Sequence, residues 1–168
     1  MHEFGHTLQL GHGGRYSDRL EYDNTHFKPN YRSIMNYHFQ LGGIPVRTET
    51  DDIIYVLDYS NEELPNLDET FGMDERAGIT SPLNTGYMSY YTCYDNGHGR
   101  VADDVIDHLD DNLFIIFQMN GSTIDWNCDG VIDDPTPVNI NGNGNDEFDT
   151  LNGTLNLLYG RSDWDKIV

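Results

Sequence analysis

The chain has 168 residues, 29 of them acidic and nine basic, for a formal net charge of −20. Such a balance makes nucleic acids and anionic membrane surfaces poor partners, and the longest clear apolar run, LFIIF at 113–117, is far short of a membrane span. A hydrophobic share of 37% with seven Phe, eleven Tyr and two Trp suits one globular domain with a modest core.

The first predicted element is a helix over residues 1–11, from the stretch HEFGHTLQLGH at 2–12. Residues four apart share a helix face, so His2 and His6 point their rings at one spot. Glu3 follows the first histidine directly and projects to the flank of that spot, within reach of a water bound there. H-E-x-x-H on a helix is a zinc signature, with two histidine ligands and a glutamate general base. Gly11 can end the helix and turn the chain, which lets His12 swing back as a third ligand. Three protein ligands leave the fourth position open, as catalytic zinc requires, and no C-x-x-C spacing supports a closed cysteine site. His26 or His38 is the substitute should His12 not serve, though neither has a spacing argument behind it.

The next motif is RSIMNYHFQ at 32–40. A methionine preceded by Ser-Ile and followed two positions on by tyrosine resembles the Met-turn of the metzincins. These are zinc peptidases with an extended H-E-x-x-H-x-x-G-x-x-H motif and such a turn further on. The HGG at 12–14 and KPNYRSIMNYHFQ at 28–40 look like secreted prokaryotic members in particular. The resemblance implies His2, His6 and His12 as zinc ligands, Glu3 as general base and a Met-turn at 33–37. It also implies Met35 as an apolar floor beneath the metal and Tyr37 as the residue that stabilises the oxyanion. Where the family has glycine three residues after the second histidine, this chain has Gln9. The expected consequence is a turn displaced towards Gly11, since glutamine takes a positive φ only at a cost. The fold implied is α+β, a zincin catalytic domain, loop-rich with few helices and short strands. Because the zinc helix opens the chain, the family's N-terminal sheet subdomain is expected to be missing, making this the C-terminal portion of a catalytic domain.

Further along, the β-branched residues of DDIIYVLDYS (51–60) predict a strand. Ser60 with Glu63 has capping-box spacing for a short helix after it. NLFIIFQMNG (112–121) reads as a buried strand or core segment, which periodicity does not decide. Residues 150–159 read as a last helix, and no linker divides the chain into two domains.

A second metal motif lies in DWNCDGVIDD, 125–134. Oxygen-bearing side chains at Asp125, Asn127 and Asp129, then Gly130 and Asp133, match the opening of a calcium loop. Thr136 stands where a bidentate glutamate belongs, and Pro135 and Pro137 oppose an exiting helix. Asn139, Asn141, Asn143 and Gly144 repeat the spacing with amides, giving candidate calcium loops across 125–146. The same residues also favour plain Asx turns. Cys93 and Cys128 could form one disulfide, as an extracellular setting permits. Sequons stand at Asn120 and Asn152.

The expected function is a secreted zinc endopeptidase of protein or peptide substrates, with Zn2+ and, at the loops, Ca2+. The alternatives are a calcium-stabilised extracellular interaction module with a vestigial zinc motif, and a metal-binding chain without turnover. Neither nucleic acid nor membrane insertion is expected.

Overall fold

The computed structural model describes residues 1–15, 21–23, 25–83, 86–95, 100–102, 113–118, 121–127, 129–132, 135, 137, 140 and 157–167. Among these the chain forms two short helices, α1 (His2–Thr7) and α2 (Trp164–Ile167). Its strands are β1 (Ile44–Arg47), β2 (Ile53–Val56), β3 (Leu67–Asp68), β4 (Ser89–Asp95), β5 (Arg100–Ala102), β6 (Leu113–Gln118) and β7 (Leu157–Leu158). The architecture is a small, loop-rich α+β arrangement. No helix among the described residues is long and apolar enough to cross a membrane.

All pairings are antiparallel. β1 and β2 form a hairpin, β3 pairs with β7, and β4 is the centre strand of the sheet β5-β4-β6. The strand expected over 51–60 is shorter than its motif, because only Ile53–Val56 find partners on β1. The stretch at 112–121 resolves as the strand β6, paired with β4 from Leu113 to Gln118.

Two expectations fail for tertiary reasons. No helix follows Ser60, whose hydroxyl donates instead to the carbonyls of Glu62 at 2.9 Å and Arg161 at 2.7 Å. These bonds tie Ser60 to Glu62 and to the C-terminal segment, and 61–66 run without helix. The expected last helix over 150–159 fails where it is described: Leu157 and Leu158 form a strand against Asp68 and Leu67, while 150–156 lie outside the described residues.

Two apolar clusters hold the described chain. One gathers Leu64, Leu67, Met73, Ile79, Ile124, Trp126, Ile140 and Leu158. The other packs Leu10, Tyr31, Ile34, Met35 and Tyr59 beneath α1. This second cluster fixes the height of α1. A β-carbon at Gly5 would overlap the Met35 sulfur and stand 3.0 Å from the Tyr59 ring, so a larger residue there needs Met35 to shift.

A buried polar network joins segments distant in sequence. Lys28, fully buried, donates through Nζ to Gly13 O at 2.7 Å, Asp23 Oδ2 at 2.8 Å and Tyr159 O at 2.7 Å. All three ammonium protons are thereby used, as burial demands. Tyr31 donates to Asp163 Oδ1 at 2.6 Å, and Ser60 N–H donates to Asp163 Oδ2 at 3.0 Å. The C-terminal segment is thus tied directly to the loops that carry the candidate site.

Candidate metal centre

α1 ends earlier than expected. Leu10 N–H donates to Gly5 O at 3.1 Å and Gln9 N–H to His6 O at 3.0 Å, the paired bonds of a Schellman motif. Gln9 occupies its left-handed position with φ +64°, and Gly11 does not take a positive φ. The expected displacement of the turn to Gly11 is therefore corrected. Glutamine accepts the strained conformation because Leu10, next in line, is fully buried in the cluster below.

After that stop, Gly14 N–H donates to Gly11 O at 3.0 Å, closing a turn with His12 and Gly13 at its tip. Asp23 clasps this turn: Gly13 N–H donates to Asp23 O at 2.7 Å, and Asp23 N–H donates to Gly14 O at 2.9 Å. A β-carbon at Gly13 would lie 2.7 Å from both Asp23 Oδ1 and Thr25 O, which accounts for the first glycine of HGG.

These two turns bring the histidines together. Ring centroids stand 4.9 Å apart for His2 and His6, 5.3 Å for His2 and His12, and 4.9 Å for His6 and His12. One nitrogen from each ring lies within 4.8 Å of the others, close enough to hold a metal ion. His2 is buried, His12 half-buried and His6 exposed, so the site opens to solvent on one side.

The tautomers are fixed as well. His2 Nδ1 lies 2.8 Å from Ile34 O, and His6 Nδ1 lies 3.0 Å from Leu10 O. A carbonyl has no proton to give, so both Nδ1 atoms donate, and the neutral rings carry their free lone pairs on Nε2. This is the outer-shell bonding that orients metal-ligating imidazoles. Burial, with repulsion from His26, His6 and His2, holds the His12 imidazole down at about 4, against an ordinary 6.5. The His12 ring then offers a neutral nitrogen donor near neutral pH.

Met35 is fully buried under Gly5, in a turn closed by Asn36 N–H donating to Ser33 O at 2.9 Å. Ile34 is gripped on both sides, its N–H donating to Asp58 O at 2.9 Å and its carbonyl accepting from His2. Tyr37 is half-buried, with its ring centroid 4.3 Å from that of His12 and 6.0 Å from that of His2. Glu3 lies exposed on the first turn of α1. A cleft of about 250 Å³ opens beside His6, lined by Leu10, Gly11 and Tyr22.

The loop at 125–132 is organised differently. Asp125 Oδ1 accepts from Asp129 N–H at 3.1 Å and Asp125 Oδ2 from Gly130 N–H at 2.7 Å, while Asp129 Oδ1 accepts from Val131 N–H at 2.8 Å. These are Asx-type bonds of the loop to itself. Among the described residues, the three histidines are the group of His, Cys, Asp or Glu whose ligand atoms converge. Asp133, Cys128, Asn139, Asn141, Asn143, Gly144, Asn120 and Asn152 lie outside the described residues, and with them the disulfide, the second loop and the sequons.

Spacing gave no sign of His26. It is buried, with its ring stacked on Tyr37 at 4.8 Å and 13°, and 4.9 Å from His12. Nor did it point to the Lys28–Asp23 pair, whose partners are brought close only by the fold. No protein-family model, no curated protein and no solved structure matches this chain.

Proposed function

We propose that this chain is a zinc-dependent endopeptidase of metzincin type, acting on proteins or peptides outside the cell. The observation that carries the reading is the convergence of His2, His6 and His12, with Met35 buried under Gly5 of α1 and Glu3 following the first histidine. Imidazoles tied through Nδ1, as His2 and His6 are, suit zinc, and a converging group of three protein ligands among the described residues suits catalysis.

When bound, zinc supplies Lewis-acid activation of water and of a carbonyl oxygen. The chain's own residues do the rest. Glu3 takes a proton from the attacking water on its carboxylate and returns it to the leaving amine nitrogen. Tyr37 donates its phenolic proton in a hydrogen bond to the oxygen that gains charge at the scissile carbonyl. His2, His6 and His12 hold the metal, and the cleft beside His6 admits the substrate chain.

The test is Glu3→Gln. The variant should keep its zinc yet lose peptide hydrolysis by roughly 10²- to 10⁴-fold, the usual worth of a general base. Wild-type turnover in a zinc-loaded Glu3→Gln protein would overturn the mechanism.

A further inference from the structure

His26 lies 20 residues from the zinc motif's second histidine in sequence, yet its ring borders the site. It is buried at 7% exposure, and its ring lies 4.8 Å from that of Tyr37 at an interplanar angle of 13°, a nearly parallel stack. On a flank of the same phenol, the Phe27 ring centroid stands 5.7 Å away at 55°. Phe27 also meets His38 edge-on at 5.2 Å. Tyr37 is therefore held by two consecutive side chains while the centroid of its own ring is 4.3 Å from that of His12.

Placing two consecutive rings around one phenol needs an unusual backbone. Phe27 has φ +54°, a left-handed conformation that a bulky residue adopts only under constraint. The constraint comes from both ends of the segment. Asp23, clasped to the His12 turn, accepts Thr25 N–H on Oδ1 at 3.0 Å. Lys28, immediately after Phe27, is anchored by its three Nζ bonds, and its carbonyl accepts from Asn36 Nδ2 at 2.6 Å. Strain that the surroundings over-determine gathers at functional sites.

We propose that His26 is a positioning residue for Tyr37: by stacking on the phenol it holds the hydroxyl at the orientation in which it donates to the developing oxyanion. The proposal rests on the peptidase reading of Tyr37. A tyrosine with one open face and free χ rotation would reach the oxyanion only part of the time, and losing that alignment costs rate rather than binding.

The experiment compares wild type, His26→Ala, His26→Phe, Tyr37→Phe and the double variant His26→Ala/Tyr37→Phe. With ¹³C-tyrosine labelling, the Tyr37 ring signals are those missing from Tyr37→Phe, and they are read in the metal-free protein. In His26→Ala they should move away from the ring-current shift of a stacked partner, and in His26→Phe they should stay shifted. In zinc-loaded protein, His26→Ala should lose at least about tenfold in kcat with KM little changed, approaching the roughly 10²-fold loss of Tyr37→Phe. His26→Phe should restore most of it. In the Tyr37→Phe background, His26→Ala should cost nothing further, since it acts through that ring.

Unmoved Tyr37 signals in folded His26→Ala, or losses that multiply in the double variant, would overturn the proposal. If His26→Ala fails to fold, a His26→Phe protein with normal melting but displaced Tyr37 signals would also overturn it. A zinc-loaded wild type that cleaves no peptide would sink the peptidase reading instead, and the ring signals would still decide whether His26 positions Tyr37.

Discussion

His2 donates through Nδ1 to the carbonyl oxygen of Ile34 at 2.8 Å, so the first of the three converging histidines is held by the residue just before the buried Met35. Through that bond the turn at 33–36 sets which nitrogen of His2 faces the other two histidines. The turn thus orients one of the converging histidines as well as packing beneath α1.

Met35 and Gly5 pack directly against each other. Met35→Ala removes a fully buried side chain and should cost about 2–5 kcal/mol of stability, whereas Met35→Leu should cost under about 1.5 kcal/mol. Gly5→Ala adds a carbon that overlaps the Met35 sulfur. Despite alanine's better helix propensity, it should destabilise by about 1–2 kcal/mol net and weaken metal affinity by lifting α1. Urea unfolding with a metal-competition titration checks both. A stabilised Gly5→Ala would show that the contact yields freely.

Gln9 bears the cost of its left-handed backbone at φ +64°. Gln9→Gly should therefore raise stability by about 1 kcal/mol without changing metal stoichiometry, because the Schellman bonds need only the backbone. Thermal melting of the two proteins decides it. A lower melting temperature for the glycine variant would mean that the glutamine side chain makes a compensating contact.

Lys28→Met leaves Asp23 buried at 2% exposure without its ammonium partner and frees Gly13 O and Tyr159 O. Breaking one side of a buried pair should cost about 3–5 kcal/mol. The Gly13 tie links this loss to the His12 turn, so zinc affinity should fall in the fraction that still folds. An unchanged unfolding midpoint would contradict the account.

Acid should weaken the metal-free protein in a defined window. Burial holds His38 at about 4, and burial with imidazole repulsion holds His12 at about 4, both against 6.5. Between about 6.5 and 4 the unfolded chain binds protons that the folded chain refuses, so stability falls as pH falls through that range. Asp163 works in the opposite sense: burial raises its carboxyl, so its contribution is present at low pH and declines as pH rises above 3.8. Urea midpoints from pH 7 to 4 should drop, and His38→Gln should flatten the slope. The same slope with and without His38 would rule out its part.

Legibility in the sequence followed the range of the interactions. The histidine spacing and the Ser33–Asn36 turn are local, set by residues only a few positions apart. Gln9 misled because its own preference is against φ +64°, and what overrides it is the burial of Leu10. Ser60 misled because its capping-box spacing is genuine, but the loop it lies in is held by long-range bonds such as that to Arg161 O, 101 positions away. The β3–β7 pair, the Lys28–Tyr159 bond and the Tyr31–Asp163 bond likewise join segments that no local pattern links. His26 belongs with them: only the fold of the 23–28 segment against the His12 turn places its ring on Tyr37.

The central claim is that three converging histidines hold zinc. Metal content by mass spectrometry on purified, folded protein tests it most directly, with wild type, Glu3→Gln and His6→Ala side by side. About one zinc per chain is expected in the first two and none in His6→Ala, as for a site with three protein ligands. A folded wild type that carries no zinc and takes up none on titration would contradict the account.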